Sequence, residues 1–104
     1  MLSGGKLTDD EVRYLSKCLE RFHPLQRIEL TFLKCFGITS LGLLHIGKSL
    51  HQLNSLQYLD FDFYDCHGVT DVGMEWLSSY LRGLRCLKFL NLKMNFAREL
   101  QIKG

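Results

Sequence analysis

The sequence predicts an α/β fold assembled from a repeated strand–turn–helix unit. Three observations carry that expectation. Laid over itself with Leu25 on Leu56 and Leu56 on Leu87, the chain matches itself in one register without a gap. One half of each repeat alternates apolar and polar residues, while the other places apolar residues at helical spacing. In two copies the halves are separated by a Gly with a Thr two residues later, GIT at 37–39 and GVT at 68–70.

The register is dense. Besides the leucines at 25, 56 and 87, Ile28, Leu59 and Leu90 align, then Leu30, Phe61 and Leu92, then Phe32, Phe63 and Met94. Cys35 falls on Cys66, Gly37 on Gly68 and Gly42 on Gly73. Leu7, Ile38, Val69 and Leu100 form one set, and Thr8, Thr39 and Thr70 the next. Coincidence at so many positions in a single shift is not a serious alternative.

Each element follows from its residues. The pattern L-x-x-L-x-L-x-F, as in LQYLDFDF at 56–63, is that of a strand with one buried face. The helical halves begin at the threonines. Thr8 and Glu11 match a capping box, and Thr39 and Thr70 stand ready to cap the next two helices, where Gly42 and Gly73 replace the Glu. Apolar stripes follow at Val12, Leu15, Leu19 and Phe22, at Leu43, Ile46, Leu50 and Leu53, and at Met74, Leu77, Leu81 and Leu84. These spacings predict helices near 9–22, 40–53 and 71–84, with Pro24 helping to end the first. Ser16, Gly47 and Ser78 share one helical position, where neighbouring helices can approach closely. Glycine in a first helical turn costs up to about 1 kcal/mol against alanine, so Gly42 and Gly73 imply a packing reason.

Length and composition bound the function. A chain of 104 residues suits one small domain or a few short repeats. With 46% hydrophobic and 23% charged residues it should fold rather than stay disordered. A formal net charge of +2 is too small to imply nucleic-acid binding. Arg13, Lys17, Arg21, Lys48 and Arg82 scatter over helix faces, as on a solvated surface. No run approaches the roughly 18 apolar residues of a membrane span. The start, MLSGGKLTDDE, lacks the apolar core of a secretory signal, so an intracellular, cytoplasmic location is expected. The four cysteines, Cys18, Cys35, Cys66 and Cys86, contain no C-x-x-C pair, and reduced structural thiols are the expectation for such a chain.

Residues 25–30, 56–61 and 87–92, followed by GIT at 37–39 and GVTD at 68–71, resemble leucine-rich repeats. The long unit with a true helix is similar to the ribonuclease-inhibitor-like, cysteine-containing subclass. The resemblance covers roughly 2–104. It implies a right-handed βα solenoid with a short parallel sheet on the concave face and helices on the convex face. The domain is then 1–104, a single array of about three 31-residue units. The first unit lacks its strand and the last its helix, so the chain is expected to be a fragment of a longer array, or to have its ends covered by a partner. One departure stands out. The family places Asn or Cys ninth in its motif, where this chain has Leu33, Tyr64 and Asn95, with the cysteines two residues later. That puts in doubt the family's side-chain-to-backbone ladder at Cys35 and Cys66. With stacked strands about 4.8 Å apart, a disulfide between them also stays geometrically open.

No catalytic constellation stands out. The chain contains no G-x-S-x-G, phosphate-binding glycine loop or H-E-x-x-H. His45 and His51 are six apart and do not share a helix face, and Cys35, Cys66 and His67 fall short of the four ligands of a closed zinc site. Cys66 and His67 are neighbours on an extended chain and point to opposite sides, which does not make a nucleophile–base pair. Asp60 and Asp62 share a face, but carboxylates on a strand mostly form a solvated or partner-facing surface. No enzyme activity, cofactor or metal is expected.

A partner surface is expected instead. If Leu59, Phe61 and Phe63 point inward, then Tyr58, Asp60, Asp62 and Tyr64 point to the opposite face. The register adds Arg27, Glu29, Thr31 and Leu33 on one side and Phe89, Asn91, Lys93 and Asn95 on the other. The predicted partner-binding residues are Arg27, Glu29, Tyr58, Asp60, Asp62, Tyr64, Phe89, Asn91 and Lys93. Their aromatic and acidic centre suits a protein partner, and a basic one by electrostatic steering. The reading is thus a non-catalytic protein–protein interaction module, with neither nucleic acid nor membrane as partner. Its alternative is the recognition segment of a larger enzyme, since similar repeats occur in ubiquitin-ligase adaptors and some protein kinases. Self-association through exposed array ends and open strand edges is a third possibility.

Overall fold

The computed structural model describes residues 2–3, 7–94 and 98–103. Strands and helices alternate: β1 (Leu2–Ser3), α1 (Asp9–Leu19), β2 (Arg27–Leu33), α2 (Ser40–Leu50), β3 (Tyr58–Tyr64), α3 (Asp71–Leu81), β4 (Phe89–Met94) and β5 (Arg98–Lys103). The strands form one sheet in chain order. β1 to β4 are parallel, and β5 returns antiparallel to β4. The fold is therefore α/β, with three helices over a mainly parallel sheet.

The sequence period is also the strand register. Arg27 lies beside Tyr58 and Tyr58 beside Phe89; Phe32 lies beside Phe63 and Phe63 beside Met94, each a step of 31 residues. The helices start in the same rhythm, at Asp9, Ser40 and Asp71. α1 packs on α2 and α2 on α3. Ile28, Phe32, Leu59, Phe61, Phe63, Leu90 and Leu92 from the sheet join Val12, Leu43, Ile46, Leu50, Leu77 and Leu81 from the helices in one core. At its centre Phe32 stacks on Phe63, with ring centroids 5.1 Å apart, and Phe61 meets both edge-on. Burying a large apolar side chain is worth about 1.5–3 kcal/mol, so this inward face is what makes one strand register win.

The helix starts show why Gly42 and Gly73 are glycines. Thr8, Thr39 and Thr70 are the N-caps, all with extended backbone. The Asp9 carboxylate of α1 reaches across to accept hydrogen bonds from the Thr39 backbone N–H, at 2.8 Å, and from the Thr39 hydroxyl. A Cβ at position 42 would sit 2.5 Å from that Asp9 carboxylate oxygen, and one at position 73 would sit 2.9 Å from the Ser40 Cα. The glycines thus clear space for one helix start to brace the next. The three threonines do not cap alike. The Thr39 hydroxyl oxygen accepts from the Leu41 N–H. Thr8 instead donates to the Glu11 carboxylate, and Thr70 meets the Ser40 hydroxyl at 3.0 Å.

Several expectations need correction. The helices stop at Leu19, Leu50 and Leu81, three residues early. Tight i→i+3 turns then carry the chain: Leu53 N–H bonds the Leu50 carbonyl and Leu56 N–H the Leu53 carbonyl, with the same pair after α1 and α3. These turns leave Phe22, expected on the buried stripe, 61% exposed, although Leu53 and Leu84 at equivalent positions are buried. The strands begin two residues later than the motif, so Leu25, Leu56 and Leu87 plug the core from the turns. The first unit does not lack a strand, because β1 pairs with the end of β2. In the last unit, Leu100, aligned with Ile38 and Val69, lies in β5 opposite Leu92. The repeat register explains that change, since Glu99 and Gln101 stand where Gly68 and Thr70 set up a helix. Among the described residues, no helix is long and apolar enough to cross a membrane.

Candidate interaction surface on the outer sheet face

Strand alternation turns Ile28, Leu59, Phe61, Phe63, Leu90 and Leu92 inward, so their neighbours share the other face. Of the nine predicted residues, Arg27, Tyr58 and Phe89 form one row across β2, β3 and β4, and Glu29, Asp60 and Asn91 form the next. Asp62 and Lys93 pair in a third row, and Tyr64 ends β3 beside Leu33. Asn95 lies outside the described residues.

The first row is a stack. The Tyr58 and Phe89 rings are parallel to within 7°, with centroids 4.3 Å apart, and the Arg27 guanidinium lies 3.7 Å over the Tyr58 ring. Arg27 also donates to the Glu29 carboxylate from both Nε and a terminal nitrogen. The aromatics are therefore half-buried in each other rather than standing free, and the stack presents its flank to solvent. In the second row the Asn91 amide donates to the Asp60 carboxylate at 3.2 Å. Asn91 is itself 5% exposed, and its Oδ1 is buried without a hydrogen-bond partner among the described residues. Alternation alone cannot reveal that burial, at a position that pairs with Gln101 of β5.

The electrostatics are milder than the acidic centre suggested. Two cations, Arg27 and Lys93, stand against three carboxylates, leaving one net negative charge, and the Glu29 charge is taken up by Arg27. At the middle of the face stand Asp60, which accepts from Asn91, and Asp62, whose neighbour across the strands is Lys93.

Past the strand ends, the face meets a rim that sequence reasoning did not pick out. Lys34 and Asp65, one repeat apart, both adopt left-handed backbone, with φ of 53° and 55°. Neither is glycine, so composition gave no sign of the turn. Lys34 N–H bonds the Tyr64 carbonyl at 2.9 Å, locking neighbouring turns together. Phe36 and His67 stack above them at 5.3 Å, and His67 Nε2 lies 2.9 Å from Asp65 Oδ1. Phe36 is 52% exposed and Tyr64 37%, so the rim is aromatic.

The cysteines resolve what the displaced motif left open. All four are free thiols, Cys35 and Cys66 buried and Cys86 exposed. The Cys66 thiol donates to the Phe32 carbonyl at 3.3 Å, and its sulfur accepts the Cys35 backbone N–H at 3.4 Å. Cys66 therefore ties its own turn to the preceding one, and satisfies backbone groups that are buried away from water. Burial pushes its thiol up to about 11, and burial likewise raises that of Cys35. His67 turns away to Asp65, so the adjacent Cys66–His67 pair is not coupled. Among the described residues, no cluster of three or more His, Cys, Asp or Glu side chains is arranged to hold a metal. No model of a known protein family matches this sequence, and no curated protein matches it either.

Proposed function

We propose that the chain is a leucine-rich-repeat interaction module, a segment of right-handed βα solenoid without a catalytic role, whose outer (concave) sheet face binds another protein. The observation that carries this reading is the stack of Arg27, Tyr58 and Phe89 across three strands. Stacked side chains have already given up their rotamer freedom, so a partner seated on them loses less entropy on binding. Asp60 and Asp62 at the centre favour a segment that offers a cation, and Tyr64 extends the aromatic surface towards the rim. Rigid aromatic anchors beside a few charges are the composition of an interface core. The antiparallel β5 covers the free edge of β4, which favours a partner that sits on the face over one that extends the sheet there.

The test is a pull-down with the full chain, followed by calorimetry on the captured protein. Replacing Tyr58 and Asp60 together by alanine should weaken binding by about thirtyfold or more, as expected of an interface hot spot. Unchanged affinity in a folded double variant would overturn the proposal.

A further inference from the structure

The basic residues of α1 and α2, scattered in the sequence, surround one hollow. A cleft of about 460 Å³ lies between the two helices, lined by Arg13, Lys17, Glu20 and His23 on one side and by His45 and Lys48 on the other. Arg13 and Lys17 are four apart on α1 and project from the same helix face. Counting only Arg, Lys and Glu, three cations stand against the single carboxylate of Glu20, leaving two net positive charges. Among the described residues, none of the three cations has an ion-pair partner. Like charges gathered around one concavity repel each other and raise the local concentration of anions.

We propose that this cleft binds a small, multiply phosphorylated molecule, with Arg13 and Lys17 on one side of its phosphates, Lys48 on the other, and the imidazoles as further donors. The volume is that of a small-ligand site. Charge-assisted bonds from one guanidinium and two ammonium groups match several phosphate oxygens at once. The lining holds no Phe, Tyr or Trp, so it offers no platform for a nucleobase. The charges close around a hollow and do not run along a backbone-length stripe, which disfavours a nucleic-acid strand. A smaller hollow of about 260 Å³, also bordered by Arg13 and Lys17, is lined by α1 alone and brings in Asp10, so it lacks the second wall of donors. The site lies on the helices and is independent of the sheet-face proposal.

Inorganic tripolyphosphate is the probe, titrated into the full chain by calorimetry and by amide chemical-shift mapping. Saturable one-to-one binding is expected, with shifts centred on α1 and α2. Lys17→Gln and Lys48→Gln should each weaken it roughly fivefold, the order of one partly exposed charge pair. Glu20→Gln should tighten it by a similar factor, a gain that no folding defect can imitate. Lys34→Gln, in the turn after β2, should leave it unchanged. The proposal is overturned by no binding at millimolar tripolyphosphate, or by Lys34→Gln weakening binding as much as Lys17→Gln. It is equally overturned if a 20-nucleotide RNA binds more tightly than tripolyphosphate with a steeper salt dependence, which would make the cleft part of a nucleic-acid surface.

Discussion

Cys66→Ala isolates the bond that ties consecutive turns together. The substitution removes the acceptor of the Cys35 N–H and the donor to the Phe32 carbonyl, in a position with no solvent exposure. A buried donor left without a partner costs about 1–3 kcal/mol. The sulfur-sized void adds about 1 kcal/mol. The expected loss is therefore about 2–4 kcal/mol, a large part of the stability of a small domain. Urea unfolding at pH 7, followed by far-ultraviolet circular dichroism, measures it. Cys86→Ala, at an exposed thiol, should stay within about 0.5 kcal/mol. Cys66→Val separates the two causes, because it refills the void without restoring an acceptor, so it should recover at most about half of the loss. The thiol also has a pH signature. Burial holds the folded thiol neutral up to about 11, against 9.0 when unperturbed. As pH rises between these values the unfolded thiol ionises first, and the unfolded chain binds fewer protons than the folded one. The stability from the neutral thiol is thus fully present below about pH 9 and lost as pH climbs through about 11. The size of that change is on the order of 2 kcal/mol. The gap between wild type and Cys66→Ala should narrow over that window. A loss at pH 7 no larger than that of the exposed Cys86→Ala control, or full recovery in Cys66→Val, would refute the hydrogen-bond argument.

Further outcomes follow from the same structure. Gly68→Ala would set a Cβ 2.4 Å from the Ile38 carbonyl oxygen, which is backbone, so melting should show a loss of about 1–3 kcal/mol. Gly83→Ala would set its Cβ against the ring of exposed His51, a side chain and not backbone, so it should cost less, at most the His51 Nδ1 contact with the Tyr80 carbonyl. Asp9→Ala strips the Thr39 N–H and hydroxyl of their acceptor and should lower stability by about 0.5–2 kcal/mol, the worth of a helix cap, with Asp9→Asn intermediate on denaturant titration. A double-mutant cycle over Arg27→Ala and Tyr58→Ala should return a coupling of about 0.5–1 kcal/mol, and strict additivity would show that the stacked guanidinium contributes nothing.

What the sequence made legible is whatever the repeat step carries with a distinctive residue. Leu59, Phe61 and Phe63 declared their face by alternation, and the threonines marked all three helix starts. The features that escaped are those where the step repeats a conformation without repeating a residue type. Lys34 and Asp65 share a left-handed turn, yet one is a base and the other an acid, and neither is the glycine that signals such a turn. The outer face was visible as a set of residues but not as a stack, because a period-2 pattern says which side a ring takes and not whether it lies flat on its neighbour. The cleft between α1 and α2 was hidden for a related reason. Arg13 and Lys48 are off the repeat step from one another, and only the packing of the helices brings them together.

The same register explains why the two proposed sites can coexist. Inward positions are held by the core, so Phe32, Phe61 and Phe63 cannot vary without a cavity cost of about 3–5 kcal/mol. Outward positions on strands and helices, the buried Asn91 apart, carry no such constraint, and each 31-residue step brings their side chains together in rows. On the strands those rows became a stacked aromatic and acidic face. On the helices the row at Tyr14, His45 and Trp76 did not settle on one chemistry, and the bases collected in the groove beside it. A protein that bound its partner through the helices alone would have no use for the parallel stacking of Tyr58 on Phe89. A protein that used the sheet alone would gain nothing from three cations gathered around one hollow. Because the core separates the two faces, Tyr58→Ala and Lys17→Gln should act independently. If either altered ligand affinity at the other face, the coupling would have to run through the packed phenylalanines, whose close contact leaves little room to transmit a shift without loss of stability.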